Sequence, residues 1–210
     1  MEGNGGVGKI LIVFAHPAFE KSRVNRQLMR ELASVPGVTL HDLYEQYPDG
    51  DIDVVTEREC LEEHDVILFQ FPLFLFGIPA LLKEWMDLVL VHGWAFGQGG
   101  GALRGKLFSC VLSTGGSRSS YSKTGANRFT VRELLAPLEQ VANLCRMRFL
   151  PPFVVHGTNV ITREGIQNAA AGYRVVLQRL GDDAPPQPGD FDEGAYLNDI
   201  LSAKEDAGHA

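Results

Sequence analysis

Phe69-Gln70-Phe71-Pro72-Leu73-Phe74-Leu75-Phe76-Gly77-Ile78-Pro79-Ala80-Leu81-Leu82-Lys83-Glu84-Trp85 decides the fold. Ahead of it, Asp65-Val66-Ile67-Leu68-Phe69 is almost wholly apolar, as a strand covered on both faces must be. Behind it, Leu81, Leu82, Trp85, Leu88 and Val89 recur at helical spacing. The stretch is therefore a strand, a turn and a helix. Pro72, Gly77 and Pro79 punctuate the turn, yet it carries Leu73, Phe74, Leu75 and Phe76 where loops are usually polar. In an open α/β sheet ligands bind beyond the carboxyl ends of the strands, so these residues read either as a wall for a planar ring or as a seal on the core or a subunit contact.

Outward from this turn the same unit repeats. Ile10 to Ala15 is an apolar strand, and Asn25 to Ser34 is a helix with Leu28, Met29 and Leu32 on one face. His16 to Asn25 joins them. Ser22 and Asn25 stand at the helix start, where free N–H groups and the helix dipole, with Lys21 or Arg23, either meet a phosphate or are simply capped. Val38 to Asp42 is a second strand, leading through Tyr44 and Tyr47-Pro48 to a helix over about Val54 to His64. The connection Val91 to Gly101, glycine-rich with Trp94 and Phe96, is too long for a simple link and is expected to rim the pocket. Lys106 to Ser113 is a fourth strand ending in Thr114-Gly115-Gly116, glycines that let backbone N–H groups approach a ring edge. A helix from about Val131 to Cys145 precedes a fifth strand, Met147 to Val155, interrupted by Pro151-Pro152 as suits an edge. Thr162 to Leu180 closes the fold as a helix.

Alternating strands and helices predict an α/β fold, a flavodoxin-like doubly wound, five-stranded parallel sheet in the order 2-1-3-4-5 with helices on both faces. In that order the ends of strands 1, 3 and 4 meet, bringing together His16 to Asn25, Pro72 to Phe76 and Ser113 to Gly116. The convergence turns three weak signals into one expectation, a bound planar cofactor carrying a phosphate.

Composition narrows the class. A chain of 210 residues, 45% hydrophobic and 21% charged, holds one well-cored domain, expected over residues 9–180. Residues 1–8 read as a flexible Gly-rich leader. Gly3 to Gly8 matches glycine patterns for dinucleotide or phosphate binding, but it precedes the first strand instead of following one. Residues 181–210 form an acidic, Pro-containing tail. From Asp182 onward eight acidic residues face one lysine, which accounts for the whole net charge of −7 and leaves no basic excess for nucleic acid. The tail is expected to be dispensable for cofactor binding, with Tyr196, Leu197, Ile200 and Leu201 forming a short amphipathic turn. Cys60, Cys110 and Cys145 lack CxxC spacing and the six histidines lack ligand spacing, so no disulfide framework and no metal are expected. With no long apolar span or signal peptide, the expected location is the cytoplasm.

The motifs also carry a resemblance. Ala15-His16-Pro17 with Ser22 and Asn25, Phe71-Pro72-Leu73 through Phe76-Gly77-Ile78-Pro79-Ala80-Leu81-Leu82-Lys83, Gly93-Trp94-Ala95-Phe96 and Thr114-Gly115-Gly116 resemble the flavodoxin-like NAD(P)H:quinone oxidoreductases. Leu43-Tyr44 through Tyr47-Pro48-Asp49, Ile52-Asp53 and Leu150-Pro151-Pro152 are most similar to the ancillary flavoproteins of glutathione-gated potassium-efflux (Kef) systems. The resemblance implies FMN, with FAD as the alternative flavin, and NAD(P)H as electron donor. FMN is favoured because no long adenine-side extension is evident. It implies hydride transfer from NAD(P)H to flavin N5 and on to a quinone or similar planar acceptor. His16, Ser22, Arg23, Val24 and Asn25 would hold the phosphate and ribityl end. Pro72, Leu73, Phe74, Leu75 and Phe76 would pack along the ring, and Ser113, Thr114, Gly115 and Gly116 would bond its pyrimidine edge. Tyr121 and Asn127 would be the catalytic pair, with Asn127 standing where the family keeps a histidine. An amide cannot hold the extra proton of an imidazolium, which weakens any charge relay there. The resemblance further implies a homodimer, with Trp94 and Phe96 reaching toward the partner's pocket. It also carries an alternative role, a regulatory subunit of a potassium-efflux antiporter, peripheral to the inner membrane through that partner.

Overall fold

The computed structural model describes residues 8–201. The Gly-rich leader before Gly8 and the tail beyond residue 201 lie outside the described residues. The strands β1 (Ile10–Phe14), β2 (Val38–Asp42), β3 (Val66–Pro72), β4 (Leu107–Ser113), β5 (Arg148–Phe149) and β6 (Phe153–Val155) form one parallel sheet. Its order is β2-β1-β3-β4-β5, with β6 also on β4. Thus the fifth strand is one edge broken in two at Leu150-Pro151-Pro152, because proline cannot donate to the ladder.

The helices are α1 (Arg23–Leu32), α2 (Leu43–Gln46), α3 (Val54–Glu62), α4 (Ala80–Val89), α5 (Val131–Leu134), α6 (Ala136–Leu144) and α7 (Arg163–Leu180). Strand alternation sorts the core into two layers. Ile10, Ile12 and Phe14 face α1 and α7, while Leu11 and Val13 face the helices of the other side. The single helix expected over Val131 to Cys145 is two. It breaks at Leu135, and Pro137 occupies the first turn of α6, where its missing N–H costs nothing. The connection after α4 is also tighter than a rim. Gly93 N–H donates to the Phe96 carbonyl, and Trp94 donates to Glu62 at 2.8 Å with Arg58 over its ring.

Behind β2 lies a buried carboxylate that the Tyr47-to-Asp53 motif serves. Asp42 and Asp53 cap α2 and α3, which brings Glu57 under Tyr47. Glu57 accepts from His41 at 2.7 Å, from the Tyr47 hydroxyl, and from Trp85 at 2.8 Å. Burial opposes its charge, but these donors outweigh burial and hold its carboxyl below the usual range.

Candidate functional site

Register fixes the site. Phe14 pairs with Gln70 and Pro72 with Ser113, so β1, β3 and β4 end near one level, and the chain leaves each end into a loop. Between those loops is a cleft of about 570 Å³. One end is cationic: Lys21 and Arg23 flank the N-terminus of α1, which Ser22 caps by accepting from Asn25 N–H at 3.2 Å. Pro72, Leu73 and Phe74 form one wall, and Ser113 and Gly115 lie on the far side. His16 and Val24 also line it. Burial lowers the His16 pKa, and Ala18 N–H donates to Nδ1, so the neutral ring carries its proton on Nε2.

Asn25 is set differently from the expectation. It is 1% exposed and lies behind the cleft, with its amide donating to Ser22 at 3.1 Å and to Ser113 at 3.0 Å. Its oxygen accepts from Gln70, whose own oxygen accepts from Tyr173 at 2.9 Å. The side-chain amides of Asn25 and Gln70 are both paired, and their hydrogen bonds tie α1, β3, β4 and α7 into a frame for the loops. Parity explains the geometry: Gln70 points to the α1 and α7 face, as Leu68 does.

The apolar turn is strained. Leu75 and Phe76 have φ of 48° and 64°, the left-handed region that favours glycine or asparagine, and Gly77 N–H closes the turn onto the Phe74 carbonyl. Leu75 is 96% exposed and Phe74 and Phe76 about half exposed. Neither core packing nor turn propensity explains these residues, and strain of this kind clusters at ligand clamps. Replacing the pair by Leu75→Asn with Phe76→Gly is expected to stabilise the apoprotein by about 1–2 kcal/mol and to weaken cofactor binding. Denaturant unfolding beside a binding titration checks both, and a destabilised double variant would remove the strain argument.

Thr114, Gly116, Tyr121 and Asn127 form the neighbouring cluster instead of the cleft wall. A Cβ on Gly116 would sit 3.1 Å from the Tyr121 ring and 3.5 Å from the Asn127 amide. Tyr121 is buried and lines a second cavity of about 510 Å³ with Arg118, Arg132 and Tyr196. The sequence reading missed three residues from the loop after β6. Thr158 and Asn159 line the cleft, and a Cβ on Gly115 would lie 2.9 Å from the Asn159 amide, so any larger residue there would have to push that side chain aside. His156 packs against Tyr121 at 5.6 Å with the rings tilted by 45°. The Thr114 hydroxyl donates to the Gly116 carbonyl and so accepts from His156 Nδ1 at 3.2 Å. Nε2 is left buried and without a partner among the described residues, and burial pulls the His156 pKa down to about 4. The signal for this loop was available, since it too leaves the carboxyl end of a strand.

The cleft fits a planar ring with an anionic tail: a cationic helix start, an apolar wall, and a glycine edge with exposed backbone. A family model described as flavodoxin-like fold matches residues 8–177. The glutathione-regulated potassium-efflux system ancillary protein KefG of Cronobacter sakazakii (strain ATCC BAA-894) is 41% identical over 183 residues, 87% of this chain and 97% of its own. The structure of general stress protein 14 from Treponema denticola in complex with FMN is 37% identical, with a TM-score of 0.78, covering 82% of this chain and 99% of that one. An NADPH-quinone reductase from P. pentosaceus is 31% identical with a TM-score of 0.74, covering 84% and 99%.

Proposed function

Because this chain belongs to the family of flavodoxin-like fold, we propose that it is an FMN-dependent NAD(P)H:quinone oxidoreductase. The observation that carries this reading is the cleft at the ends of β1, β3 and β4, cationic at one end and apolar along its wall. FMN supplies the two-electron chemistry that joins a nicotinamide donor to a quinone. The chain's own residues do the rest. Lys21, Arg23 and the α1 N-terminus neutralise the phosphate, with the Ser22 hydroxyl as a further donor. Pro72, Leu73, Phe74, Leu75 and Phe76 exclude water from the ring. Ser113 and Gly115 face its polar edge, with Thr114 and Gly116 in the cluster beside them, and Asn25 keeps that edge in register with α1. Tyr121 holds a proton donor at its hydroxyl, while Asn127 offers hydrogen bonds without the charge of an imidazolium.

The exposed Phe74-Leu75-Phe76 turn suits a subunit boundary, and a homodimer would also set Trp94 and Phe96 beside the partner's site. No helix among the described residues is long and apolar enough to cross a membrane. The likeness to KefG favours a second role, in which the chain sits at the inner membrane on a potassium-efflux antiporter and turnover is secondary. Steady-state NADH and NADPH oxidation by the FMN-loaded protein with a soluble quinone tests the enzyme reading. Quinone-dependent turnover is expected, and none with either nucleotide would overturn it.

A further inference from the structure

The segment after α7 is built into the sheet edge. Leu197 N–H donates to the Pro152 carbonyl at 2.9 Å, and the Asn198 side chain brackets Val154, accepting from its N–H at 2.8 Å and donating to its carbonyl at 3.1 Å. A side-chain amide thus completes the open edge of β6 as a neighbouring strand would. Tyr196 joins the core layer on one face of the sheet and Leu197 the layer on the other. From this anchorage two contacts run to the loop after β4. Tyr196 packs against His156 at 5.6 Å with the rings tilted by 35°, and His156 holds Thr114. Arg118, three residues before Tyr121, lies over the Tyr196 ring at 4.5 Å and pairs with Asp199 through two contacts of 3.2 Å.

We propose that Tyr196 to Asp199 form a clasp that holds the Thr114-to-Tyr121 loop in its binding geometry, making the segment beyond α7 a positioning part of the FMN site. The proposal rests on the FMN reading above and reverses the expectation that the tail is dispensable. The family match ends at residue 177, so the clasp lies outside it. Its physical basis is preorganisation. Two glycines, Gly115 and Gly116, leave this loop many conformations, and an anchored loop spends none of the ligand's binding energy on its own ordering.

The test is a titration of the full-length apoprotein with FMN and with riboflavin, followed by flavin fluorescence, beside apoprotein melting. Tyr196→Ala is expected to weaken both flavins about tenfold, the scale of a loop left to be ordered on binding, and Tyr196→Phe to restore binding to within about twofold. Both flavins lose by the same factor because the clasp acts at the ring edge, away from the phosphate end. Asp199→Asn, a surface change, is expected to weaken FMN about threefold with the apoprotein melt unchanged. A folded Tyr196→Ala protein that binds FMN as wild type does would overturn the clasp. Should Tyr196→Ala fail to fold, wild-type binding by Asp199→Asn would overturn it instead. Wild type binding no flavin at all would sink the FMN reading, a distinguishable failure.

Discussion

Tyr121→Phe is expected to slow quinone reduction by about 10²- to 10⁴-fold, the usual worth of a positioned proton donor, while FMN affinity stays within about twofold. The ring is buried, packed against His156, and leaves little room for a Cβ on Gly116, so the phenyl replacement keeps its place and only the hydroxyl is lost. Asn127→Ala should matter less, since its backbone N–H donates to the Ser120 carbonyl whatever the side chain. Asn127→His introduces the imidazole that the resemblance implies at this position. A faster enzyme would mean that this chain has given up turnover, in keeping with a regulatory role. Steady-state rates with a soluble quinone decide the matter. Equal rates for wild type, Tyr121→Phe and Asn127→His would show that neither position takes part in the chemistry.

Glu57→Ala is expected to destabilise the protein by about 3–5 kcal/mol, a large part of the roughly 5–15 kcal/mol that folded domains have. Three donors converge on this carboxylate from β2, the loop after α2, and α4, and removing it leaves Trp85 N–H and the Tyr47 hydroxyl buried without an acceptor. At about 2–4 °C per kcal/mol for a chain of this size, the melting temperature should fall by roughly 10 °C. The pH dependence has a definite sign. The folded pKa of Glu57 is depressed, so its contribution is present above the unfolded value of 4.5 and is lost as pH falls through the lower folded value. Acid unfolding of Glu57→Gln should therefore be flatter in that window than that of wild type. A wild-type slope in the variant would mean that folding does not depress the Glu57 pKa.

Much of the architecture was legible because its signals are local. Apolar runs such as Ile10 to Ala15 and helical repeats such as Leu81 to Val89 give elements, and alternation of the two gives the parallel sheet and the meeting of β1, β3 and β4. What stayed hidden depends on contacts far apart in sequence. Ser22 and Asn25 read as phosphate ligands or caps, and nothing local revealed that Asn25 turns inward to Gln70 and Ser113. The left-handed turn at Leu75 and Phe76 was invisible, since neither residue favours it. His156 and Asn159 follow a strand too short and broken to draw attention to its end. The short amphipathic turn around Leu197 was legible in the tail, but its attachment was not, because the partners of Tyr196, Asn198 and Asp199 lie tens of residues upstream.

The most direct test of the central claim is the chromophore. Purified, the protein should be yellow. Denaturing it and separating the released pigment should give FMN, and the stripped protein should take FMN up again through the cleft bounded by Lys21, Arg23 and Pro72 to Phe74. Failure of the stripped protein to bind an excess of FMN or FAD would contradict the account.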